Sequence, residues 1–409
     1  MQKTVAIIGG GAAGFFAAIA CAEANCKARI VVFEKSRHIL SKVRISGGGR
    51  CNLTHACFDP RELARSYPRG SRELLGAFHS WQPGDTVDWF ESKGVALKTE
   101  EDGRIFPTTD SSSTIIDCLT ASATGLGIEV RTQSEIHSVS KSASGLFALS
   151  LGDGDRMEAD RVVIATGGGN GSGGLKMAGE FGHTITELAP SLFTFHVDDP
   201  RINGLQGLSV KNVHVACEQA KLEQIGPVLI THWGLSGPAI LKLSAWGART
   251  FAQLDYSFEI QINWVGDQSK EIVRTLLNDQ KQVAGKKSIS AHCPFDLPNR
   301  IWVRLTEAVG IKGRCQWAQL SRQQMAGLAD ELVDSRFRVT GKSMNKEEFV
   351  TCGGVRLGEV DFRRMESKRV SDLHFAGEVL DIDGLTGGFN FQAAWTTGRI
   401  AGISVAKRL

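Results

Sequence analysis

The apolar positions of this chain fall into two patterns. Unbroken apolar runs occur at Val5-Ala6-Ile7-Ile8, Ile30-Val31-Val32-Phe33 and Val162-Val163-Ile164-Ala165, and short runs bounded by glycine or charge predict buried strands. Between the first two lies an alanine-rich stretch, Ala12 to Ala24, that reads as a helix. Strand, helix and strand in that order predict a parallel βαβ unit. Residues 58 to 125 place apolar side chains at helical spacing in Glu73-Leu74-Leu75, Val87-Asp88-Trp89-Phe90 and Thr114-Ile115-Ile116-Asp117-Cys118-Leu119, and should be mainly helical. Ile128 to Arg131, Glu135 to Val139 and Leu146 to Leu149 read as strands of a small antiparallel appendage, with Gly152-Asp153-Gly154 as a hairpin turn.

From Pro190 the pattern changes. Phe193 to Val197, Val210 to Cys217 and Phe258 to Trp264 alternate as strands. Ile272, Val273, Leu276 and Leu277, then Met325, Leu328 and Leu332, mark amphipathic helices. At 409 residues the chain exceeds the ~250 to 300 that one core supports, so 191–345 reads as an inserted domain. Leu373-His374-Phe375 then returns to a strand, and a final helix opens near Gly388.

Chemistry enters at the strand ends. Gly9, Gly11 and Gly14 fit G-x-G-x-x-G after a strand and before a helix, where backbone N–H groups and the helix dipole favour a pyrophosphate. Glu34 ends the second strand 20 residues past Gly14, the ~20-residue spacing at which an acidic side chain accepts hydrogen bonds from a ribose. The strand at 162–165 delivers Thr166-Gly167-Gly168. Gly169, Gly171 and Gly174 match G-x-G-x-x-G again, yet six of the nine residues from Thr166 to Gly174 are glycine, so a chance fit is expected, with a nicotinamide site as the alternative. Ser46-Gly47-Gly48-Gly49-Arg50-Cys51-Asn52 offers free amides and polar groups just past the ribose position. The last strand ends in Ala376-Gly377-Glu378, followed by Asp383 and by Gly387-Gly388-Phe389-Asn390 at a helix start that can face a developing negative charge. His232, in Thr231-His232-Trp233-Gly234, is either a structural hydrogen-bonding residue or an acid or base over a substrate.

Composition narrows the class. Glycine is 46 of 409 residues, about 11% against a usual ~7%, and clusters at strand ends. A net charge of +3 without a dense basic run argues against a nucleic-acid arm. Nine cysteines without C-x-x-C suit reduced thiols in a cytoplasmic protein, and no metal site is expected. Lys3 followed by uncharged Thr4 to Ala22 mimics an export signal, but four glycines interrupt it. Nothing downstream reaches the ~18 consecutive apolar residues of a membrane span.

Three separated signals, at Gly9 to Glu34, at Thr166 and at Gly377 to Asn390, suit FAD, which is long enough to need chain from both ends of the sequence. On Ser46 to Asn52, Thr231-His232-Trp233-Gly234-Leu235-Ser236-Gly237-Pro238, Met365-Glu366-Ser367-Lys368 and Ala376 to Gln392, the chain resembles the BaiN/YhiN-like bacterial FAD-dependent family, which includes aminoacetone oxidase and the 3-dehydro-bile-acid Δ4,6-reductase. The resemblance spans nearly the whole chain. It implies an α/β fold: a doubly wound, Rossmann-like FAD/NAD(P)-binding domain of residues 1–190 and 346–409, with a β-barrel-like and helical substrate or cap domain at 191–345. Cofactor contacts then fall on Gly9, Gly11, Ala12, Ala13, Gly14, Glu34, Lys35, Ser46, Gly47, Gly48, Arg50, Cys51, Asn52, Ile136 through its backbone, Thr166, Gly167, Gly377, Glu378, Asp383, Gly388, Phe389 and Asn390. After Gly168 this chain runs Gly169-Asn170-Gly171-Ser172-Gly173-Gly174, shorter than the aromatic-proline segment of similar proteins, so no member's substrate transfers directly. The expected activity is hydride transfer at FAD to or from a small organic substrate of amine, ketone or enone type, with NAD(P)H or O2 as redox partner and Arg50, Asn52 and His232 near the ring. A tRNA-modifying flavoenzyme and a non-catalytic electron-transfer flavoprotein are the alternatives.

Overall fold

In the computed structural model, which describes residues 2–24, 27–152, 154–169, 171–343 and 350–407, the chain divides into two compact units, Met1–Ala189 with Lys346–Leu409, and Pro190–Asn345. The expected return near residue 346 lies outside the described residues, as do Asp153 of the hairpin turn and Asn170 of the second glycine stretch.

In the first unit, β1 (Thr4–Ile8), β2 (Arg29–Phe33), β3 (Glu129–Arg131), β4 (Arg161–Ile164) and β5 (Leu373–Phe375) lie parallel in the order β5-β4-β1-β2-β3. Two short strands, Glu366–Ser367 and Val360–Asp361, continue the β5 edge antiparallel. Residues 5 to 8 and 162 to 164 are buried, because layers cover both faces of the sheet, and this is why their sequence runs are unbroken. The strand order reverses at β1, with β2 and β3 on one side and β4 and β5 on the other. The carboxyl ends of β1 and β4 are therefore the topological switch point, where open α/β sheets hold ligands.

The antiparallel appendage has three strands, as the sequence predicts, but not the same three. It consists of Ile136–Lys141, Phe147–Leu151 and Arg156–Ala159, whereas β3 joins the parallel sheet through Val31↔Glu129 to Phe33↔Arg131. A three-residue strand has no period with which to declare its sheet. Residues 58–125 hold helices at Pro60–Ala64, Ser71–Phe78, Pro83–Ser92 and Ser112–Gly125. They also contribute Leu97–Thr99 and Arg104–Pro107; the latter pairs with both Leu97–Thr99 and Thr54–His55 in a small sheet too short to alternate legibly.

The helix after β1, α1 (Ala12–Ala24), is buried along almost its whole length. It packs against the helix that follows β5. We number the helix after β4 α2 (Gly173–Glu180) and this last one α3 (Phe389–Ala406). A Cβ at Gly398 would lie 2.6 Å from the Ala13 carbonyl oxygen, and one at Gly402 2.2 Å from that of Ala17. The alanine-rich face of α1 and the two glycines of α3 thus let backbone meet backbone, joining the two ends of the sequence beneath the glycine turns.

The second unit has its own core, with Trp264, Trp302 and Trp317 fully buried. Its seven-stranded antiparallel sheet runs Ser335–Val339, Phe258–Asn263, Ser209–Cys217, Leu222–Thr231, Gly234–Ser236, Thr194–His196, Gly341–Ser343. The first and last strands are separated only by Thr340, so one bent segment supplies both edges and the ladder closes on itself. Helices at Lys270–Val283, Asn299–Ala308 and Arg322–Val333 form the rest.

Candidate functional site

Each glycine of the first motif answers a different constraint. Gly9 sits at φ +119°, and a Cβ there would lie 2.3 Å from the Ala165 carbonyl oxygen. At Gly14 a Cβ would lie 1.9 Å from the Gly9 carbonyl oxygen, so this glycine lets α1 close down on the turn. Gly11 is the opposite case: no atom lies within 4 Å of where its Cβ would be. A side chain there would fill the space over the start of α1, where the first N–H groups have no intrahelical acceptor and no acidic residue offsets the dipole. An open cradle lined by N–H donors fits a pyrophosphate.

Glu34 at the end of β2 is oriented by that turn. Its Oε2 accepts from Gly10 N–H at 2.9 Å and its Oε1 from Ser36 N–H at 2.8 Å, leaving further lone pairs on both oxygens for ribose hydroxyls. Ser134 N–H donates to the Glu34 carbonyl at 2.9 Å and Gln133 N–H to that of Ser36 at 3.0 Å, which brings the chain entering Ile136 beside the same strand end. Lys35 is exposed.

Beyond β4, Thr166 Oγ1 and Ser172 Oγ share a hydrogen bond at 2.9 Å, and Ser172 Oγ donates to the Gly167 carbonyl at 3.1 Å. A Cβ at Gly174 would lie 2.1 Å from Thr166 Oγ1. Gly174 therefore packs α2 onto β4 as Gly14 packs α1 onto β1, a structural reason for the last glycine of the second series. Past β5, Gly377 N–H donates to Thr397 Oγ1 at 2.9 Å, and a Cβ on Gly377 would lie 2.8 Å from that of Ala13. Glu378 pairs with Lys42 at 2.5 Å.

The 46–52 loop joins the same end of the sheet to α3. The Asn52 amide, in the orientation that satisfies its neighbours, accepts from Gly388 N–H at 3.0 Å and donates to the Thr54 carbonyl at 3.1 Å. Asn52 is thus a clamp on the start of α3. Cys51 is fully buried, and burial pushes its thiol up to about 12, so it packs as a neutral group. Ser46 Oγ donates to the Val43 carbonyl at 3.0 Å, while no atom lies within 4 Å of a Cβ built on Gly48. A Cβ on Gly47 would lie 3.0 Å from Asn52 N.

Several side chains read as ligand contacts are turned toward the scaffold. Asp383 is fully buried and its carboxylate pairs with the Arg69 guanidinium, so it braces the segment before α3. Asn390 closes onto Gly384, accepting its N–H at 2.8 Å and donating to its carbonyl at 2.9 Å. Phe389 stacks on His55 with centroids 4.7 Å apart, and its carbonyl accepts from Tyr67 OH at 2.6 Å. What α3 offers a ligand is its N-terminal backbone.

The three residues expected near the reacting ring are not gathered into one constellation by the contacts described. Arg50 pairs with Glu100 at 2.7 Å and Asp110 at 3.4 Å and lies 4.0 Å over the Phe106 ring, tied to the small three-stranded sheet. His232 belongs to the second unit, exposed at the turn between Leu222–Thr231 and Gly234–Ser236. Arg69, Lys42 and Thr397 were invisible to sequence reading, since each acts on a residue more than 300 positions away or on a backbone N–H. Among the described residues no group of three or more His, Cys, Asp or Glu side chains is placed to hold a metal ion, and no helix is long and apolar enough to cross a membrane.

The model of the family described as HI0933-like protein Rossmann domain matches residues 3–404. A ribosomal RNA dihydrouridine synthase of Escherichia coli strain K12 is 31% identical over 401 residues, 96% of this chain and 95% of the relative. A 3-dehydro-bile acid delta(4,6)-reductase of Clostridium scindens is 27% identical over 415 residues, 100% of both chains. The solved structure of 3-ketosteroid delta1-dehydrogenase from Sterolibacterium denitrificans aligns over 100% of both chains with a TM-score of 0.54 at 11% identity, a likeness of fold.

Proposed function

The chain belongs to the HI0933-like Rossmann family and is an FAD-dependent oxidoreductase; from that premise we propose that it adds two hydrogens across a carbon–carbon double bond conjugated to a carbonyl, and that the bond lies in a uracil ring of RNA. The observation that carries this reading is the 31% identity, over nearly the whole of both chains, to a ribosomal RNA dihydrouridine synthase. Dihydrouridine is uridine with its ring double bond saturated, and that bond is conjugated to a ring carbonyl. The name of the 27% identical relative denotes a ketone with double bonds at positions 4 and 6, the same type of acceptor. The two relatives therefore agree on bond type while differing in the molecule that carries it.

Bound FAD supplies the hydride chemistry. The residues of this chain bind and orient it: N–H groups at the start of α1 take the pyrophosphate, Glu34 takes ribose hydroxyls, and Gly167 and Gly377 keep side chains away from the switch point. The N-terminal end of α3, held by Asn52 and Asn390, would offer a positive dipole end to negative charge on the bound cofactor.

The test uses purified holoenzyme with NADH or NADPH and two substrates in parallel. Ribosomal RNA from cells lacking the gene is digested and its nucleosides analysed by mass spectrometry for a two-hydrogen gain on uridine. A 3-oxo-Δ4,6 steroid is followed by loss of its conjugated absorbance. Formation of dihydrouridine supports the RNA reading. Turnover of the steroid alone moves the substrate to a free enone, as the Clostridium relative's name would have it, and turnover of neither overturns the proposal.

A further inference from the structure

The sequence has no dense run of basic residues, yet the second unit carries a net positive charge that is concentrated in one stretch. Residues 190–345 hold 18 Lys and Arg against 14 Asp and Glu, a net of 18 − 14 = +4, while the remainder carries 29 − 30 = −1. Within 281–322 the imbalance sharpens to eight basic residues against two acidic ones, Asp296 and Glu307. Glu307 is already paired with Arg304. Lys286, Lys287, Arg300, Lys312, Arg314 and Arg322 are all exposed, and none has an ion pair with a carboxylate among the described residues.

The backbone behind these charges is fixed. Ser288 is bridged antiparallel to Gln316. Ile289 N–H donates to the Cys315 carbonyl at 3.0 Å, Trp317 N–H to that of Lys287 at 3.1 Å, and Ala318 N–H to that of Gly285 at 2.9 Å. This ladder sets the segment carrying Lys286 and Lys287 beside the one carrying Lys312 and Arg314. Trp302, two residues past Arg300, donates its indole N–H to the Ile289 carbonyl at 2.7 Å and stacks with Trp317, centroids 6.2 Å apart. A pair of buried tryptophans thus anchors all three basic segments to one small scaffold, and solvent-exposed like charges held together in this way repel one another unless an anion intervenes.

We propose that this face of the second unit binds the phosphate backbone of the RNA whose uridine is reduced, an assignment that rests on the RNA reading above. Exposed cations on neighbouring, hydrogen-bonded segments suit a polyanion read by charge and not by sequence. The face then supplies affinity, while the choice of uridine belongs to the flavin site.

The experiment measures binding of the holoenzyme to unmodified ribosomal RNA as a function of salt, for wild type, for the triple variant Lys286→Ala/Lys287→Ala/Arg314→Ala, and for the control Lys211→Ala/Lys221→Ala elsewhere in the same unit. Each lost phosphate contact should lower the slope of log affinity against log salt by ~0.7 to 0.9, so the triple variant should lose about 2 to 3 and the control far less. In turnover, KM for RNA should rise at least tenfold with little change in kcat, and reduction of the flavin by nicotinamide should be unaffected. A second triple, Lys312→Gln/Arg314→Gln/Arg322→Gln, should behave alike, and unchanged melting temperatures exclude misfolding. Wild-type RNA reduction with an unaltered salt slope in both variants would overturn this surface and leave the activity standing. Wild type that neither binds nor reduces RNA would remove both, and binding to anionic phospholipid vesicles in its place would reassign the face to a membrane surface.

Discussion

Substituting alanine for glycine at two helical positions should shift stability in opposite directions. Gly402, on α3, and Gly76, in the helix Ser71–Phe78, both have ordinary helical backbone, so propensity alone favours alanine at each by ~0.8 to 1 kcal/mol. At Gly76, exposed, no atom lies within 4 Å of the added Cβ, and Gly76→Ala should stabilise by ~0.5 to 1 kcal/mol. At Gly402 the Cβ would lie 2.2 Å from Ala17 O, 2.8 Å from Ala20 Cβ and 2.9 Å from Cys21 N. Ordinary contact begins near 3.4 Å, so the oxygen must retreat by 3.4 − 2.2 = 1.2 Å. Two of the three atoms are backbone of α1, which can retreat only by moving the helix that carries the phosphate turn. Overpacking of this kind costs ~1 to 3 kcal/mol, and with the backbone rigid the upper half applies, leaving Gly402→Ala about 1 to 2 kcal/mol less stable than wild type. At ~2 to 4 °C per kcal/mol the melting temperature should fall by ~2 to 8 °C, and that of Gly76→Ala should rise by ~1 to 4 °C. Calorimetry of the FAD-loaded and stripped forms measures both, and Gly402→Ala should also retain less FAD. If Gly402→Ala melts at or above wild type, the close helix crossing is wrong.

Glu34→Ala removes the acceptor of two backbone N–H groups along with the proposed ribose contact; at least tenfold weaker FAD binding is expected, and full retention of colour on gel filtration would place the ribose elsewhere. Arg69→Met leaves the buried Asp383 carboxylate without its guanidinium and should cost ~3 to 5 kcal/mol in denaturant unfolding, with Arg69→Met/Asp383→Asn recovering part of it. Stability should also fall on acidification. Burial holds His183, which bonds Glu359 at 3.1 Å and Ser367 at 2.7 Å, below its usual 6.5, so the unfolded chain takes up the proton first and stability present above about pH 6.5 is lost as pH drops through that window. Glu359, held well below its ordinary 4.5 first by the hydrogen bond from Arg369, adds a second loss beneath about pH 4.5. His183→Asn should flatten the upper limb; an unchanged profile would show that the histidine titrates alike in both states.

Local sequence determined those parts of this protein whose physics is local. The runs at β1, β2 and β4 are unbroken because both faces of their sheet are covered, Gly9, Gly11 and Gly14 announce a turn, and Glu34 stands at the distance one βα unit imposes. The cofactor was legible for that reason. The identity of β3 was not, since three residues have no period and only pairing with β2 assigns them. Arg50, Asp383 and Asn390 look like ligands in one dimension because carboxylates, guanidinium groups and amides serve scaffold and site with the same atoms. Only tertiary structure decides which partner they meet: Glu100 for Arg50, Arg69 for Asp383, Gly384 for Asn390. The same holds for charge. Basic residues scattered over 281–322 come onto neighbouring segments only when the segment of Lys287 pairs with that of Trp317, because the field of a surface depends on distances through space and the sequence records distances along the chain.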